Sequence, residues 1–294
     1  MASVSPLISV IIPVWNRPDD IRRCLASVTR QSLQKSDYEV IVVDNGSSDQ
    51  TPDVARSFDG VTVLTESRPG SYAARNLGLS VARGHHVAFI DSDCTADPRW
   101  LEASLQAARA NPKAGVIAGH IELKSEGGPS SAVCDAYERI FAFNQAKNVG
   151  SGIAVTANWL SRAELLRSLG GFRDDLKSGG DVDLAKRIRA AGYELVYAPH
   201  MIVTHPARAT FPELAAKTRR VMGGRMASRP VKGGKPGWAL LVARDTAYRV
   251  RTVWRWEGLS PGTKLRLSAM LMVLMGISCA EIVRIALGGE AKRA

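Results

Sequence analysis

The sequence is poor in cysteine, and none of what it has is paired. Cys24, Cys94, Cys134 and Cys279 lie far apart with no Cys-x-x-Cys among them. That argues against a structural zinc site and gives no disulfide framework, so a reducing cytoplasm is the expected compartment. Long hydrophobic runs are also missing. The uncharged stretch Ala269–Ala280 falls short of the roughly 20 apolar residues that a spanning helix needs. The opening "MASVSPLISVIIPVWNRP" has no basic residues ahead of its apolar part, and Pro13 and Asn16 break that part early. It reads as a first strand, not a signal peptide. No glycine-rich phosphate loop follows this strand, only "PVWNRPDD", which ranks nucleotidyl transfer low among nucleotide chemistries.

Acidic residues are scarce at one end. Residues 208–294 hold 5 Asp/Glu against 17 Lys/Arg, a balance of +12, whereas residues 1–207 hold 23 against 22, a balance of −1. A basic appendage on a neutral body implies an anionic partner, nucleic acid or acidic lipid. Trp238, Tyr248, Trp254 and Trp256 are interleaved with arginines there. That pattern suits stacking on bases, as in a nucleic-acid-binding protein with a basic tail, and equally suits a membrane interface. The segment 265–287, interrupted by Glu281 and Arg284, tips the reading toward an amphipathic helix lying in a membrane interface, with basic residues on acidic headgroups. A core helix and a partner-binding helix are the alternatives. Before it, the basic, glycine-rich "RRVMGGRMASRPVKGGKPGW" reads as a loop.

What is present is a regular alternation. "LISVIIPV", "YEVIVVD", "VTVLTE" and "HHVAFI" are short β-branched runs that predict buried strands. Between them "RPDDIRRCLASVTRQS", a short segment from Thr51 and "SYAARNLGLSVAR" carry helical spacing, followed by "PRWLEASLQAARAN" and the strand "AGVIAGHIEL". The alternation predicts a parallel sheet flanked by helices on both faces over the first ~120 residues. In such sheets ligands bind beyond the carboxyl ends of the strands. Asn16, Asp44, Asp91 and Asp93 each follow a strand end, so they fall on one edge. Two carboxylates one residue apart at the mouth of an apolar strand lose solvation unless something positive compensates them. The plain reading of Asp91-Ser92-Asp93 is a turn; the sharper one is a divalent metal. Farther on, "CDAYERIFAFNQA" predicts a helix, "GIAVTANWLS" a strand or turn, "SRAELLRSLGGF" and "DVDLAKRIRAAGY" helices, and "ELVYAPHMIVTH" an extended segment.

Taken in order, "SVIIPVWNRPDDIRRCLASVTRQ", "YEVIVVDNGSSDQT", "GSYAARNLGL", "VAFIDSDC" and "ANWLSRAELLRSLGGFRDDLKSGGDVDLAKRIRAAGY" resemble the glycosyltransferase family 2 proteins of the GT-A fold. The resemblance covers about two thirds of the chain and leaves out the basic end. It implies a Rossmann-like mixed sheet flanked by helices, with a GT-A catalytic domain over 1–207. Residues 1–120 would form the nucleotide-sugar-binding half, 121–207 the acceptor half, and 208–294 a mainly helical, membrane-associating extension.

The implied enzyme is an inverting transferase using a nucleotide-diphosphate sugar, a UDP-sugar on family frequency, with Mg²⁺ or Mn²⁺ as cofactor. It would act at the inner face of the cytoplasmic membrane on a lipid-linked or envelope polysaccharide acceptor. By the same resemblance Pro13, Val14, Trp15 and Asn16 line the nucleotide pocket, Asp44 recognises the base, Arg75 contacts the nucleotide, and Asp91 and Ser92 touch the donor. Asp91, Asp93 and the late His205 are the metal set. Asn45 stands where many relatives carry a second Asp. Asp181 aligns with the catalytic base, although Gly180 replaces the Glu that relatives place before it; Asp174 and Asp175 are fallback bases. Asn158, Trp159 and Asp183 are candidate acceptor contacts. Without the neighbouring motifs, Arg75 would read as part of a solvated helix face, His205 as a loop histidine and Asp181 as a helix cap.

Overall fold

The structure is a computed structural model that describes residues 5–124, 132–176, 178–228 and 234–289. The chain divides into two compact units. The first comprises Met1–Glu122, Phe143–Asp175 and Gly180–Pro206; the second comprises Leu123–Ala142, Leu176–Gly179 and Ala207–Ala294. In this division the described residues 132–142 group with the basic end.

In the first unit the elements run β1 (Ile8–Val14), α1 (Pro18–Val28), β2 (Tyr38–Asp44), α2 (Thr51–Arg56), β3 (Val61–Thr65), α3 (Ser71–Val81), β4 (His86–Ile90), β5 (Thr95–Ala96), α4 (Trp100–Ala110) and β6 (Ala114–Lys124). The second unit takes α5 (Ala132–Phe141). The chain then returns to the first unit with α6 (Gln145–Gly150), β7 (Asn158–Arg162), α7 (Ala163–Ser168), α8 (Gly180–Ala190) and β8 (Glu194–Pro206). The strands form one sheet in the order β3-β2-β1-β4-β7-β6-β8-β5. β3, β2, β1 and β4 are parallel, and β7 is antiparallel to both β4 and β6.

This corrects the expected all-parallel half. The parallel part ends at β4, and a strand from much later in the chain takes the place beside it. β1 and β2 are buried almost end to end, as strands covered on both faces must be. Each fully buried Val or Ile there contributes about 1.5–3 kcal/mol. α1 starts with Pro18 at its first position and Asp19 and Asp20 in its first turn, and buries Ile21, Cys24, Leu25 and Val28 on one stripe.

The second unit packs α5 with α9 (Phe211–Ser228), α10 (Gly234–Arg255) and α11 (Pro261–Ala286). The basic, glycine-rich stretch expected to loop is helical through Ser228; Arg229–Gly233 lie outside the described residues. A helical glycine costs about 1 kcal/mol against alanine, but here burial overrides it. Met222 is buried with Trp238, Val242 and Ile282, and a Cβ on Gly224 would come within 2.4 Å of the Ser178 Cβ, so this helix face needs the small residue. The expected helix "CDAYERIFAFNQA" is two elements, because the backbone turns at Phe143, whose φ is +35°.

α11 is 26 residues long and among the described residues is long and apolar enough to cross a membrane, unlike its uncharged stretch read alone. Leu267, Met270, Leu271, Leu274, Ser278, Glu281 and Ile282 form its buried stripe. Leu265, Met272, Val273, Val283 and Leu287 stand exposed on other faces. It is therefore core-packed on one side and apolar on the open side.

Candidate active site

The carboxyl ends of β1, β2 and β4 build one rim. In the β1–β2 register Val14 sits opposite Asp44, and the Asn45 N–H donates to the Val14 carbonyl at 2.8 Å. Asn16 follows in the left-handed region, φ +50°, which asparagine tolerates better than most residues. Its N–H donates to Ser47 Oγ at 2.8 Å, and its Oδ1 accepts from the Ser48 N–H at 2.9 Å. The loops after β1 and β2 are thus stapled together. Asp44 is buried and accepts the Ser47 N–H through both carboxylate oxygens, at 3.3 and 3.2 Å. Trp15 is 38% exposed, whereas Pro13 and Val14 are buried in the strand. Those two support the rim from beneath and offer a donor no side-chain surface.

Asn45, the departure from the expected Asp, is a strut. Its Nδ2 donates to the carbonyls of Glu66 and Arg68 at 2.9 and 2.8 Å, and its Oδ1 accepts from the Gly70 N–H at 2.7 Å. A carboxylate could not donate to those two carbonyls.

The two carboxylates after β4 face different partners. Asp91 Oδ1 accepts from Arg75 Nη2 at 2.5 Å, and Arg75 is buried on α3. The solvated-face reading of Arg75 is therefore excluded: its fixed charge compensates Asp91. Asp93 Oδ1 faces His205 Nε2 at 3.5 Å. The His205 Nδ1–H donates to the Pro206 carbonyl at 2.7 Å, and its ring packs on Phe143 with centroids 4.5 Å apart. Because a carbonyl only accepts, Nδ1 carries a proton and Nε2 points at the carboxylate. A carboxylate oxygen and an imidazole nitrogen converging at this distance fit a divalent cation between them. Cys94 is the third member of this cluster. Asp91, expected as a metal ligand, does not join it and is held by Arg75. Burial, reinforced by Asp93 and Asp91, pushes the Cys94 thiol well above its ordinary range. Ser92 is half-buried between the two carboxylates.

Asp181 opens α8 and approaches the same rim. Its Oδ1 accepts from the Val182 N–H at 2.9 Å and from the Tyr72 hydroxyl at 3.4 Å. Its carboxyl is shifted upward, first by burial and further by the Asp91 charge; the Val182 N–H and Arg75 oppose the shift without cancelling it. The helix terminus expected to reduce its basicity is outweighed by desolvation.

Tyr72 was not picked out by sequence reasoning. Burial and the Asp181 charge push its hydroxyl upward, which keeps it a donor. Its ring stacks on Phe172 with centroids 5.6 Å apart, and the Arg75 guanidinium lies 5.7 Å from its centroid. The same ring explains Gly180. A Cβ there would meet Tyr72 ring carbons at 2.8–2.9 Å, so the aromatic occupies the space that a side chain at this position would need. Phe172 is fixed in turn by Asn76, whose Nδ2 donates to its carbonyl and whose Oδ1 accepts its N–H, both at 2.8 Å.

The remaining candidates sort clearly. Asp174 is paired with Arg68 at 2.6 Å and Asp175 with Arg173 at 2.5 Å, so neither fallback base stands as free as Asp181. Asp183 pairs with Arg187 one turn along α8 at 2.9 Å. Asn158 and Trp159 are fully buried and cannot contact an acceptor. Asn158 Nδ2 donates to the carbonyls of His120 and Met201, each at 2.8 Å, and its Oδ1 accepts from Trp100 Nε1 at 2.9 Å. Trp159 Nε1 donates to Ser161 Oγ at 2.7 Å. Both are internal struts, placed there because β7 is a central strand.

Comparison with known proteins bears on the family and the fold. The family model described as Glycosyl transferase family 2 matches residues 9–170. "Glycosyltransferase AglE" of Haloferax volcanii is 38% identical over 232 residues, covering 77% of this chain and 75% of that protein. "Pre-mycofactocin glycosyltransferase" of Mycobacterium tuberculosis is 29% identical over 95% of this chain, which spans only 58% of that relative's length. Among solved structures, the "Mannosyltransferase PcManGT from Pyrobaculum calidifontis in complex with GDP-Man and Mn2+" superposes with a TM-score of 0.60 at 20% identity, over 98% of this chain and 77% of that one.

Proposed function

The chain belongs to glycosyl transferase family 2 and is a glycosyltransferase of GT-A fold, and we propose that it is an inverting, metal-dependent enzyme with Asp181 as its base. The observation that carries this reading is a single connected network. Arg75 holds Asp91, its guanidinium lies against Tyr72, and the Tyr72 hydroxyl reaches Asp181. A carboxylate with raised basicity thus stands beside the rim where the strand ends converge.

In the proposed reaction an acceptor hydroxyl oxygen attacks the anomeric carbon on the face opposite the nucleoside diphosphate. The new C–O bond forms as the bond to the diphosphate oxygen breaks, which inverts the centre. Asp181 takes the hydroxyl proton, a role in which a carboxyl raised above its ordinary range is an advantage. Asp93 and His205 would hold Mg²⁺ or Mn²⁺. When bound, the cation supplies charge neutralisation to the departing diphosphate. Trp15, Asn16, Asp44 and Arg75 form the nucleotide side of the site, with Asp91 and Ser92 on the donor; Asp183 stands on the acceptor side.

The donor we assign is a UDP-sugar and the acceptor a lipid-linked or envelope saccharide. The bound GDP-Man and Mn²⁺ of the Pyrobaculum neighbour support a nucleotide-sugar and a divalent ion as classes. The exposed apolar residues of α11 and the exposed Arg244, Arg251 and Arg255 of α10 support work at an anionic membrane surface, which we place at the inner face of the cytoplasmic membrane.

Calorimetric titration with UDP, GDP and dTDP, with and without Mn²⁺, tests the reading. Tight binding of UDP that requires the metal and disappears in Asp91→Ala/Asp93→Ala is expected. Preference for GDP would move the donor class. No metal-dependent binding of any nucleotide would overturn the proposal.

A further inference from the structure

The cluster around Asp93 contains one ligand that neither Mg²⁺ nor Mn²⁺ favours. Asp93 Oδ1, Cys94 Sγ and His205 Nε2 each offer an atom, all within 4.8 Å of one another. The oxygen lies 3.5 Å from the nitrogen and 3.8 Å from the sulfur. A tetrahedral ion with nitrogen and oxygen at about 2.0–2.1 Å and sulfur at about 2.3 Å sets neighbouring ligand atoms roughly 3.3–3.5 Å apart. The Asp93 oxygen therefore stands within a few tenths of an ångström of that spacing from both partners, and the sulfur and the imidazole nitrogen lie within 4.8 Å of each other. His205 is oriented by its Nδ1–H on the Pro206 carbonyl and by the Phe143 ring, the outer support that ligating histidines use. Cys94 and His205 are buried, and the Asp93 side chain is about one-third exposed, which leaves a flank for a fourth ligand. Oxygen-only chemistry would not call for the thiol, whereas carboxylate, thiolate and imidazole together suit a softer ion.

We propose that this site has a thiophilic mode in which Zn²⁺ or Co²⁺ is held by Asp93, Cys94 and His205 and competes with the Mg²⁺ or Mn²⁺ used in transfer. The inference rests on the reading that Asp93 and His205 hold the reaction's metal. Binding replaces the Cys94 S–H bond with a sulfur–metal bond and releases one proton to solvent. A bound Zn²⁺ would occupy Asp93 and His205 and displace the hard ion, so micromolar zinc would inhibit an enzyme otherwise run on Mn²⁺.

Absorption spectroscopy of the full chain during Co²⁺ titration tests this directly. Expected are the near-ultraviolet thiolate-to-cobalt charge-transfer band and the intense visible bands of a tetrahedral site, bleached by Zn²⁺. Cys94→Ser should lose the charge-transfer band and bind Zn²⁺ at least tenfold more weakly, with Mn²⁺ affinity, followed by calorimetry, changed less than threefold. Cys24→Ser, which alters the other buried thiol near Asp91, should keep the band, and His205→Gln should weaken binding of both ions. Cobalt bound without the band, or a band that survives in folded Cys94→Ser, would overturn the thiophilic mode alone. Mn²⁺ affinity that is undiminished in Asp93→Ala would instead overturn the underlying metal assignment.

Discussion

Asp181 carries its charge where the surroundings oppose it, since burial and Asp91 both favour the neutral acid. A carboxyl whose folded pKa is raised costs the native state stability once pH exceeds the unfolded pKa, and that cost is fully present above the folded value. Asp181→Asn keeps an oxygen for the Val182 N–H and the Tyr72 hydroxyl but has no charge to desolvate. It should therefore lose about 10²–10⁴ in transfer rate while melting at the same or a higher temperature at pH 7. The melting difference should shrink as pH falls below the unfolded carboxyl range. The wild-type rate should fall on the acid side at a pH above an ordinary aspartate's, because only the ionised form accepts a proton. Asn45→Asp makes the opposite point. It would set a carboxylate against the Glu66 and Arg68 carbonyls, and at about 1–3 kcal/mol for each buried group left unsatisfied its chemical-denaturation midpoint should drop clearly. The position of Asp91 and Asp93 directly after an apolar strand was legible in the sequence, because the strand is a local pattern that ends where they begin. Tyr72 was not, since its role depends on Gly180 being close enough to be covered by its ring, which no spacing in the chain expresses.

The strands and helices of the first ~110 residues were legible from periodicity, because each is a local pattern closed by a turn. Long-range pairing was not. Nothing in "ANWLSR" says that it lies between β4 and β6, and that insertion turned two expected acceptor contacts into core residues. Asn158 is the clearest case, joining His120, Met201 and Trp100. Asn158→Ala would strand two carbonyls and an indole N–H inside the sheet, at a cost of about 3 kcal/mol or more. A melting temperature lower by several degrees is expected, with acceptor KM per folded molecule unchanged. A raised KM at unchanged stability would restore the acceptor role. The helix α9 was missed for a related reason. Its glycines read as loop formers, yet Gly224 is there because Ser178 comes too close for a side chain.

Charge is distributed between the two units in a way that composition already showed, and the structure adds where the basic residues point. The exposed positions of α10 include Leu240, Arg244, Tyr248, Arg251, Trp254 and Arg255, with no acid among the described ones. Asp245 is drawn to Arg225 at 3.0 Å. Trp238 is not part of this face: it is buried against Met222 and Ile282, so it is available neither to bases nor to headgroups. Three arginines near an anionic leaflet are worth about 1 kcal/mol each, and on the proposed membrane reading apolar insertion from this helix and from α11 would add a salt-independent part. Co-sedimentation should show binding to phosphatidylglycerol vesicles that is far weaker on phosphatidylcholine. It should fall in 1 M salt, where the screening length is about 3 Å, without vanishing. Arg244→Glu/Arg251→Glu/Arg255→Glu should weaken it by more than a hundredfold, the product of three losses of about 1 kcal/mol and added repulsion, while leaving nucleotide binding intact. Binding to single-stranded nucleic acid at matched salt as tight as to the vesicles would favour the other anionic partner. The salt-resistant fraction discriminates between the two, because counterion release makes nucleic-acid binding collapse with salt, whereas insertion of exposed apolar residues such as Leu240, Val273 and Leu287 into a bilayer would persist.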